Sequence, residues 1–308
     1  MRQLIVIRPG MLTTIQDLGR WGRQASGVPV AGPMDMYSHI LANRLVGNDD
    51  GAAALEVTLI GPELAAESDV VCAVTGAAFT VTVDDVPVPL HEAFIMRPGS
   101  RLRFGRRAAG ARATLAVAGG IAVEPQGGSR ATSLIGRMGP FGGRPLAAGD
   151  VLPLGSAGNG NVRPSGPPLD VPAGGAKLRA VRGPHESMFT AAGYETLFGG
   201  RFLVTSNSNR MGYRLEGPPL QHADKADILS DATPIGSIQV PASGQPILLM
   251  ADRQTTGGYP RIATVATADL PLAGQLAPGD WIEFAPCSRE DAIAALRRMH
   301  ARLEGRGA

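Results

Sequence analysis

"FTVTVDDVPV", residues 79–88, decides how this chain folds. Apolar and polar residues alternate from Phe79 to Val83, the period of a half-buried strand, and Asp84-Asp85 then stands where a hairpin turns. Outward from it the same kind of run recurs: "QLIVIRPG" (3–10), "DVVCAVTG" (69–76), "AFIMRPG" (93–99), "SRLRFG" (100–105) and "ATLAVAGG" (113–120). Short β-branched runs punctuated by glycine and proline predict antiparallel β structure, a sandwich or a barrel. The composition agrees: only 5% of residues are aromatic, and 41 glycines with 25 prolines demand many turns.

A second β-rich set follows: "KLRAVRG" (177–183), "RFLVTSNS" (201–208), "GSIQVPASGQPILLMADRQ" (236–254), "RIATVATADL" (261–270) and "DWIEFAP" (280–286). The stretch between, 155–176, is poor in large apolar residues and reads as a linker. The expected division is an N-terminal β domain over 1–160 and a C-terminal one over 177–308. The halves echo one another. "LIGPEL" (59–64) returns as "LEGPPL" (215–220), and "MRPGSRLRF" (96–104) as "LAPGDWIEF" (276–284), which predicts two copies of one architecture. Two helices interrupt the β pattern. Asp35 caps "MYSHILANRLVG" (36–47), with Ile40, Leu41, Arg44 and Leu45 as a stripe. Ser288 with Asp291 caps a C-terminal helix whose expected face is Ile293, Leu296, Met299 or His300, and Leu303.

The bulk properties exclude several classes. The 29 basic and 27 acidic residues nearly cancel, to a net charge of +2, and no tail concentrates either sign, so nothing points to nucleic acid or an anionic membrane. The apolar run at residues 4–7 is too short for a signal-peptide core, and no window has the length of a membrane span, so a cytoplasmic protein is expected. Cys72 lies in an apolar run and reads as a buried thiol. The five histidines form no metal-binding grouping, so no metal is expected.

Three segments place charge beside glycine. The first is "TIQDLGRWGRQASGVPVAGPMD" (14–35), with Asp17, Arg20, Arg23 and Asp35. The second is "SNSNRMGYRLEGP" (206–218), with Asn209, Arg210 and Arg214. The third is "PIGSIQVPASGQPILLMADRQTTGGYPRIATV" (234–265), where an apolar strand runs into Asp252, Arg253, Gln254, Thr255 and Thr256 and then a double glycine. A polar tip on a rigid strand suits a ligand pocket, since the strand fixes the side chains and glycine admits close backbone approach. Each segment also has a plain reading. Asp35 serves as a helix cap, Asp17 and Arg20 brace a loop, Arg210 and Arg214 lie on a solvated turn, and Asp252-Arg253 forms a hairpin turn. Together the three supply guanidinium, carboxylate and carboxamide groups, the set that grips carboxylates, amides and ureido groups. There is no nucleophile elbow, no phosphate-binding loop and no dinucleotide fingerprint after a strand.

These segments, with "ANRLVGND", "AALEVTLIGP", "AGGI…GSRATS" and "RGPH…F", resemble the allophanate hydrolase subunit 2 family, also called the KipA family or the family of the 5-oxoprolinase C subunit. The resemblance runs from residue 1 to about 285. It implies a mainly β chain of two linked cyclophilin-like β-barrel domains with a few short helices and a C-terminal helix. It also implies partners: a KipI-like B subunit and, in bacterial 5-oxoprolinase, a LamB/YcsF-type A subunit. That assembly opens 5-oxoproline to L-glutamate at the expense of ATP, which the complex rather than this chain alone is expected to bind. The same modules form the carboxyltransferase half of urea carboxylase, which uses carboxybiotin. This chain has no biotin-attachment sequence, so a carrier would be another protein. A third role in the family is regulatory binding of a KipI-like kinase inhibitor.

Within this resemblance Asp17, Asp35 and Asp252 are the expected catalytic or arginine-orienting carboxylates. Arg20, Arg210, Gln239, Arg253, Gln254, Thr255 and Arg261 are the expected substrate-binding set. Arg261 stands where family members commonly carry lysine, and an arginine cannot act as a base at neutral pH. Two expectations follow. Asp17, Arg20 and Asp35 should approach the tip at Asp252–Thr256, and Arg210, in a setting unlike a core, should be removable without loss of stability.

Overall fold

The computed structural model describes residues 2–157 and 166–306; residues 158–165 of the expected linker lie outside the described residues. The chain falls into two compact units. One comprises 1–21, 31–171 and 301–308, the other 22–30 and 172–300. The division at 171/172 lies inside the expected linker, while 22–30 and 301–308 each group with the other half of the chain.

The first unit contains β1 (Gln3–Arg8), β2 (Leu12–Gln16), α1 (Met36–Leu45), β3 (Ala54–Thr58), β4 (Glu63–Ala66), β5 (Val70–Val83), β6 (Val86–Pro87), β7 (Ala93–Met96), β8 (Arg101–Val117), the single turn α2 (Pro140–Gly143) and β9 (Val151–Pro153). Its strands make a curled nine-stranded sheet in the order β2-β3-β8-β4-β1-β9, with β5 on β8 and β6 and β7 on β5. The second unit contains β10 (Gly175–Arg182), α3 (Ala191–Gly199), β11 (Arg201–Val204), β12 (Gly212–Glu216), β13 (Asp231–Ala232), β14 (Ser237–Gln239), β15 (Ile247–Leu249), β16 (Thr256–Gly257), β17 (Arg261–Val265), α4 (Leu270–Gly274) and β18 (Trp281–Pro286). The last helix, α5, spans Arg289–Leu303. Here the ring closes, in the order β10-β17-β14-β15-β12-β11-β18, through a parallel seam between β10 and β18. The class is mainly β, but only the second unit is a closed barrel. Among the described residues no helix is long and apolar enough to cross a membrane.

The hairpin at 79–88 forms as its sequence demands. Thr82 pairs with Pro87 and Val83 with Val86. Asp84 and Asp85 both take left-handed φ, +49° and +64°, the geometry whose twist matches the flanking strands. Phe79 and Val81 point into the core, at 4% and 2% exposure. The sequence suggests four short strands over 69–83 and 100–120; the structure joins them into β5, of 14 residues, and β8, of 17. Gly76 and Gly110, with φ of +88° and +69°, bend these strands without ending them, and the register slips between Gly76 and Ala78 and again on to Val81.

The second echo has the same bonding in both units. Gly99 N donates to Ala66 O and Ala66 N to Ser100 O; Gly279 N donates to Val204 O and Val204 N to Asp280 O. Both glycines are left-handed, at +83° and +93°. One tight turn therefore launches β8 in one unit and β18 in the other.

The helices match in position and differ in detail. Asp35 caps α1, and the Ser288 hydroxyl accepts from Asp291 N at the start of α5. On α5, Ala295 and Leu303 are buried, but Ile293, expected on that face, is 42% exposed. The buried face of α1 is partly polar: Ser38, His39 and Asn43 go inside with Tyr37, Leu41 and Ala42, while Ile40 is only half-buried. A polar network explains it. Asn48 Nδ2 donates to Asn43 Oδ1 and to Val117 O, its Oδ1 accepts from Gly119 N, and Asn43 Nδ2 reaches Ala52 O and His39 Nε2. These side chains satisfy backbone groups where β8 ends and no ladder continues. Cys72 is fully buried, which pushes its thiol up to about 12.

His39 makes the fold pH-sensitive. Burial pulls its pKa down to about 4, against about 6.5 in an unfolded chain. The unfolded chain therefore takes up a proton that the folded chain refuses. Its contribution is complete above about pH 6.5 and drains as pH falls toward about 4, a loss of about 3 kcal/mol. Urea titrations at pH 7 and pH 4.5 should show that loss in the wild type, and His39→Gln should lose less by about this amount.

Candidate functional site

The opening segment is held by its own charges. Asp17 Oδ1 accepts from Gly19 N at 2.9 Å and from the Ser129 hydroxyl at 2.5 Å, and its Oδ2 accepts from Arg130 N at 2.5 Å. Arg20, 1% exposed, donates to the carbonyls of Gln126 and Ala131. The Gln16 carboxamide oxygen accepts from Gly32 N, and the Glu56 carboxylate from Met34 N. Asp35 uses both oxygens on Ser38, one for its backbone N at 2.9 Å and one for its hydroxyl at 2.6 Å. A glycine- and proline-rich loop has no ladder to satisfy its peptides, and these buried side chains do so instead. Asp17 and Arg20 do brace a loop, though each does so through the 126–131 segment. Asp17, Arg20 and Asp35 belong to the first unit and Asp252–Thr256 to the second, and each set finds these partners within its own unit.

The second unit carries a cleft on its barrel wall. Along β14, β15 and β12 the pleat sends Ile238, Leu248 and Tyr213 inward, all at most 1% exposed. The alternate residues face outward in register: Gln239 opposite Ile247, and Ile247 opposite Arg214. The next row pairs Leu249 with Gly212. A methyl on Gly212 would meet the Leu248 carbonyl oxygen at 2.9 Å and Ile247 at 3.3 Å, so only glycine leaves this floor open. Asn207, Asn209 and Met211 stand on one side, Gln254 and Tyr259 on the other, around about 160 Å³. That is smaller than the roughly 300–1,000 Å³ of drug-sized sites and suits a small metabolite.

Two expected residues, Gln239 and Gln254, meet in this cleft. Gln254 Nε2 donates to Gln239 Oε1 at 3.2 Å, and Gln239 Nε2 points to Tyr259 O at 3.4 Å. The first glycine of the third segment's pair has its reason here. A Cβ on Gly257 would stand 2.7 Å from Gln239 Nε2 and 3.2 Å from Gln254 Nε2.

Asn207, Asn209, Met211 and Arg214, from the second charged segment, and Tyr259, from the third, also line the cleft, although none of them is in the expected binding set. For Arg214 a signal was present: "GYRLE" alternates, so the residue beside buried Tyr213 must face out.

The other expected residues of the second unit lie beside the cleft as struts. Arg210 and Asp252, 3% and 1% exposed, form a fork, Nε to Oδ2 and Nη2 to Oδ1, each at 3.1 Å. The solvated-turn reading of Arg210 is therefore wrong: after β15 the chain runs on through buried Met250 and Ala251 to Asp252, and only a matching cation can accompany that carboxylate inside. Arg253 Nε donates to Thr233 O at 2.7 Å; burial pulls its pKa down to about 10, so it stays cationic at neutral pH. Thr255 presents its carbonyl to Thr233 N. Arg261, opposite Gln239 in the ladder, donates to Ala232 O and to the Asp231 carboxylate, and its backbone N donates to His185 Nδ1. Burial and the Arg261 charge lower the His185 pKa.

Comparison with known proteins adds the lineage. A family model described as "Carboxyltransferase domain, subdomain A and B" matches residues 26–286. The chain belongs to this family. It is 41% identical to the C subunit of 5-oxoprolinase from Escherichia coli, over 95% of this chain and 94% of that one. It is 38% identical to the corresponding 5-oxoprolinase chain of Haemophilus influenzae, over 93% and 92%. The solved urea amidolyase of K. lactis superposes with a TM-score of 0.93 at 34% identity, covering 99% of this chain and 20% of that larger one. In this carboxyltransferase-family chain Arg261 has a fixed ionic partner, so a permanently charged guanidinium serves there as a strut between β17 and the 231–232 strand.

Arg210→Ala should destabilise the protein by about 3–5 kcal/mol, because it strands the Asp252 carboxylate in the interior. Denaturant titration reads this directly. The double variant Arg210→Met, Asp252→Leu should recover most of the loss. A stable Arg210→Ala protein would put the pair back in solvent.

Proposed function

We propose that the chain is the C subunit of an ATP-dependent 5-oxoprolinase, opening 5-oxoproline to L-glutamate with a KipI-like B subunit and a LamB/YcsF-type A subunit. The observation that carries the reading is the carboxamide pair, Gln239 with Gln254, at the wall of a small cleft in a chain so similar to two proteins named as 5-oxoprolinase C subunits. A carboxamide offers both N–H donors and a carbonyl acceptor, the complement of a secondary amide N–H and C=O.

The chemistry asked of the complex is demanding because amide resonance makes a lactam carbonyl a poor electrophile. Transfer of the ATP γ-phosphoryl group to the lactam oxygen releases ADP and leaves an imidate phosphate. Water adds to the activated carbon, and the ring C–N bond breaks with the nitrogen leaving as the amine, which gives the glutamyl acyl phosphate. A second water then hydrolyses the acyl phosphate to glutamate and phosphate. In this reading ATP is met by the assembled complex, and this chain orients the lactam. Asp252, Arg210, Arg253 and Arg261 hold the cleft in shape, and Thr255 fixes the tip. Asp17, Arg20 and Asp35 maintain the loop of the first unit. A second reading is favoured by the superposition on urea amidolyase: half of a biotin-dependent carboxyltransferase, in which the same carboxamides receive a ureido group.

Co-expression with both partner types should give 5-oxoproline-dependent ATP hydrolysis, absent when either partner is omitted. Gln239→Leu should lower that activity at least about tenfold, the worth of one lost hydrogen-bonding partner, with little change in melting temperature. Turnover only with urea and a carboxybiotin carrier would replace this reading with the second.

A further inference from the structure

The cleft holds one charge that the fold leaves open. Arg210 is forked to Asp252, Arg253 is on the Thr233 carbonyl, and Arg261 is on Asp231. The Arg214 guanidinium, by contrast, is exposed and has neither an acidic partner nor a side-chain hydrogen bond among the described residues. Its backbone is nevertheless fixed. Arg214 N donates to the Ser208 hydroxyl at 3.0 Å, while its carbonyl accepts from Thr205 N at 3.0 Å and from that same hydroxyl at 3.3 Å. Asn209 is fixed likewise: its Oδ1 accepts from Met211 N at 2.8 Å, which leaves the amide NH₂ as its outward group.

Register supplies the spacing. Gln239 and Arg214 sit on either side of Ile247, two strand intervals apart, or about 10 Å between Cα atoms. Gln239, Ile247 and Arg214 all line the one cleft. A molecule between them meets a carboxamide pair at one end, an apolar floor in the middle and a guanidinium at the other.

We propose that Arg214 is the specificity residue of this cleft and that it selects small amides carrying a carboxylate, with the acid on Arg214 and the amide on Gln239 and Gln254. This rests on the reading of the cleft as the lactam site and goes further, because it says which end of the substrate is read by charge. A guanidinium binds a carboxylate through two parallel N–H···O bonds and has no comparable grip on a neutral carboxamide.

The test compares 5-oxoproline with its neutral amide, in which a carboxamide replaces the acid, using the assembled enzyme. Wild type should prefer the acid in KM by about 10- to 100-fold, the range for a hydrogen-bonded charge. Arg214→Gln should raise KM for the acid by a similar factor, leave KM for the neutral amide nearly unchanged and alter kcat little. Arg214→Lys should restore part of the preference. Equal losses for the two ligands would mark Arg214 as merely structural, and an unchanged KM for the acid would remove it from the site; either overturns the proposal. If the assembly shows no 5-oxoproline-dependent turnover, the functional reading fails separately. Calorimetric titration of the full chain with the same two ligands then decides: an Arg214-dependent preference for the acid upholds the proposal, and no preference overturns it.

Discussion

Two charges buried almost completely, Arg210 at 3% exposure and Asp252 at 1%, hold the second unit's site together. Either one alone would be intolerable in the interior. Together they are stable because the planar guanidinium meets both carboxylate oxygens at 3.1 Å. The backbone reinforces the pair, with Asp252 N donating to Arg210 O and Met250 N to Met211 O at 2.8 Å. One wall of the cleft hangs from the loop before β12 and the other from the tip after β15. The ion pair and these backbone bonds together tie that loop to that tip and set the separation of the walls.

The same principle organises the rest of the polar interior. Charge in a glycine-rich loop suggests ligand chemistry, and here much of it is scaffolding. Asp17, Arg20, Asp35 and Gln16 each answer backbone groups that no strand or helix satisfies. The Asn43–Asn48 network does so at the end of β8. What distinguishes a recognition residue is a polar group that the fold has no use for. In the cleft that description fits the outward ends of Arg214 and Asn209 better than any of the buried arginines.

The β pattern was legible because it rests on local rules. Alternation at 79–83 gave a strand with one face inside, and an Asp-Asp pair could take the left-handed turn. The paired echo around Gly99 and Gly279 was legible for the same reason, since both turns need a left-handed residue at the same place. Strand length was not. Gly76 ends a run in the sequence, yet the neighbouring strand carries the chain through it as a bulge. Gln239 and Gln254 were legible as site residues because both lie in the segment that ends in a polar tip and a glycine pair. Arg214 does not stand out among the polar residues around it, although its place in an alternating strand fixed its outward direction.

By itself, then, the amino-acid order determined the mainly β class, the hairpin, both helix caps and the segments that bear polar groups. Each depends on neighbours within a few residues, through pleat period, turn geometry or capping. Tertiary structure alone decided which charges are consumed. Arg210 and Asp252 are 42 residues apart, and Arg261 meets an acid 30 residues away. No local pattern distinguishes a guanidinium that will find a buried carboxylate from one that will face a cleft. That choice is made when the barrel closes and sets β12, β15 and β14 side by side, because only then does each side chain acquire its partner.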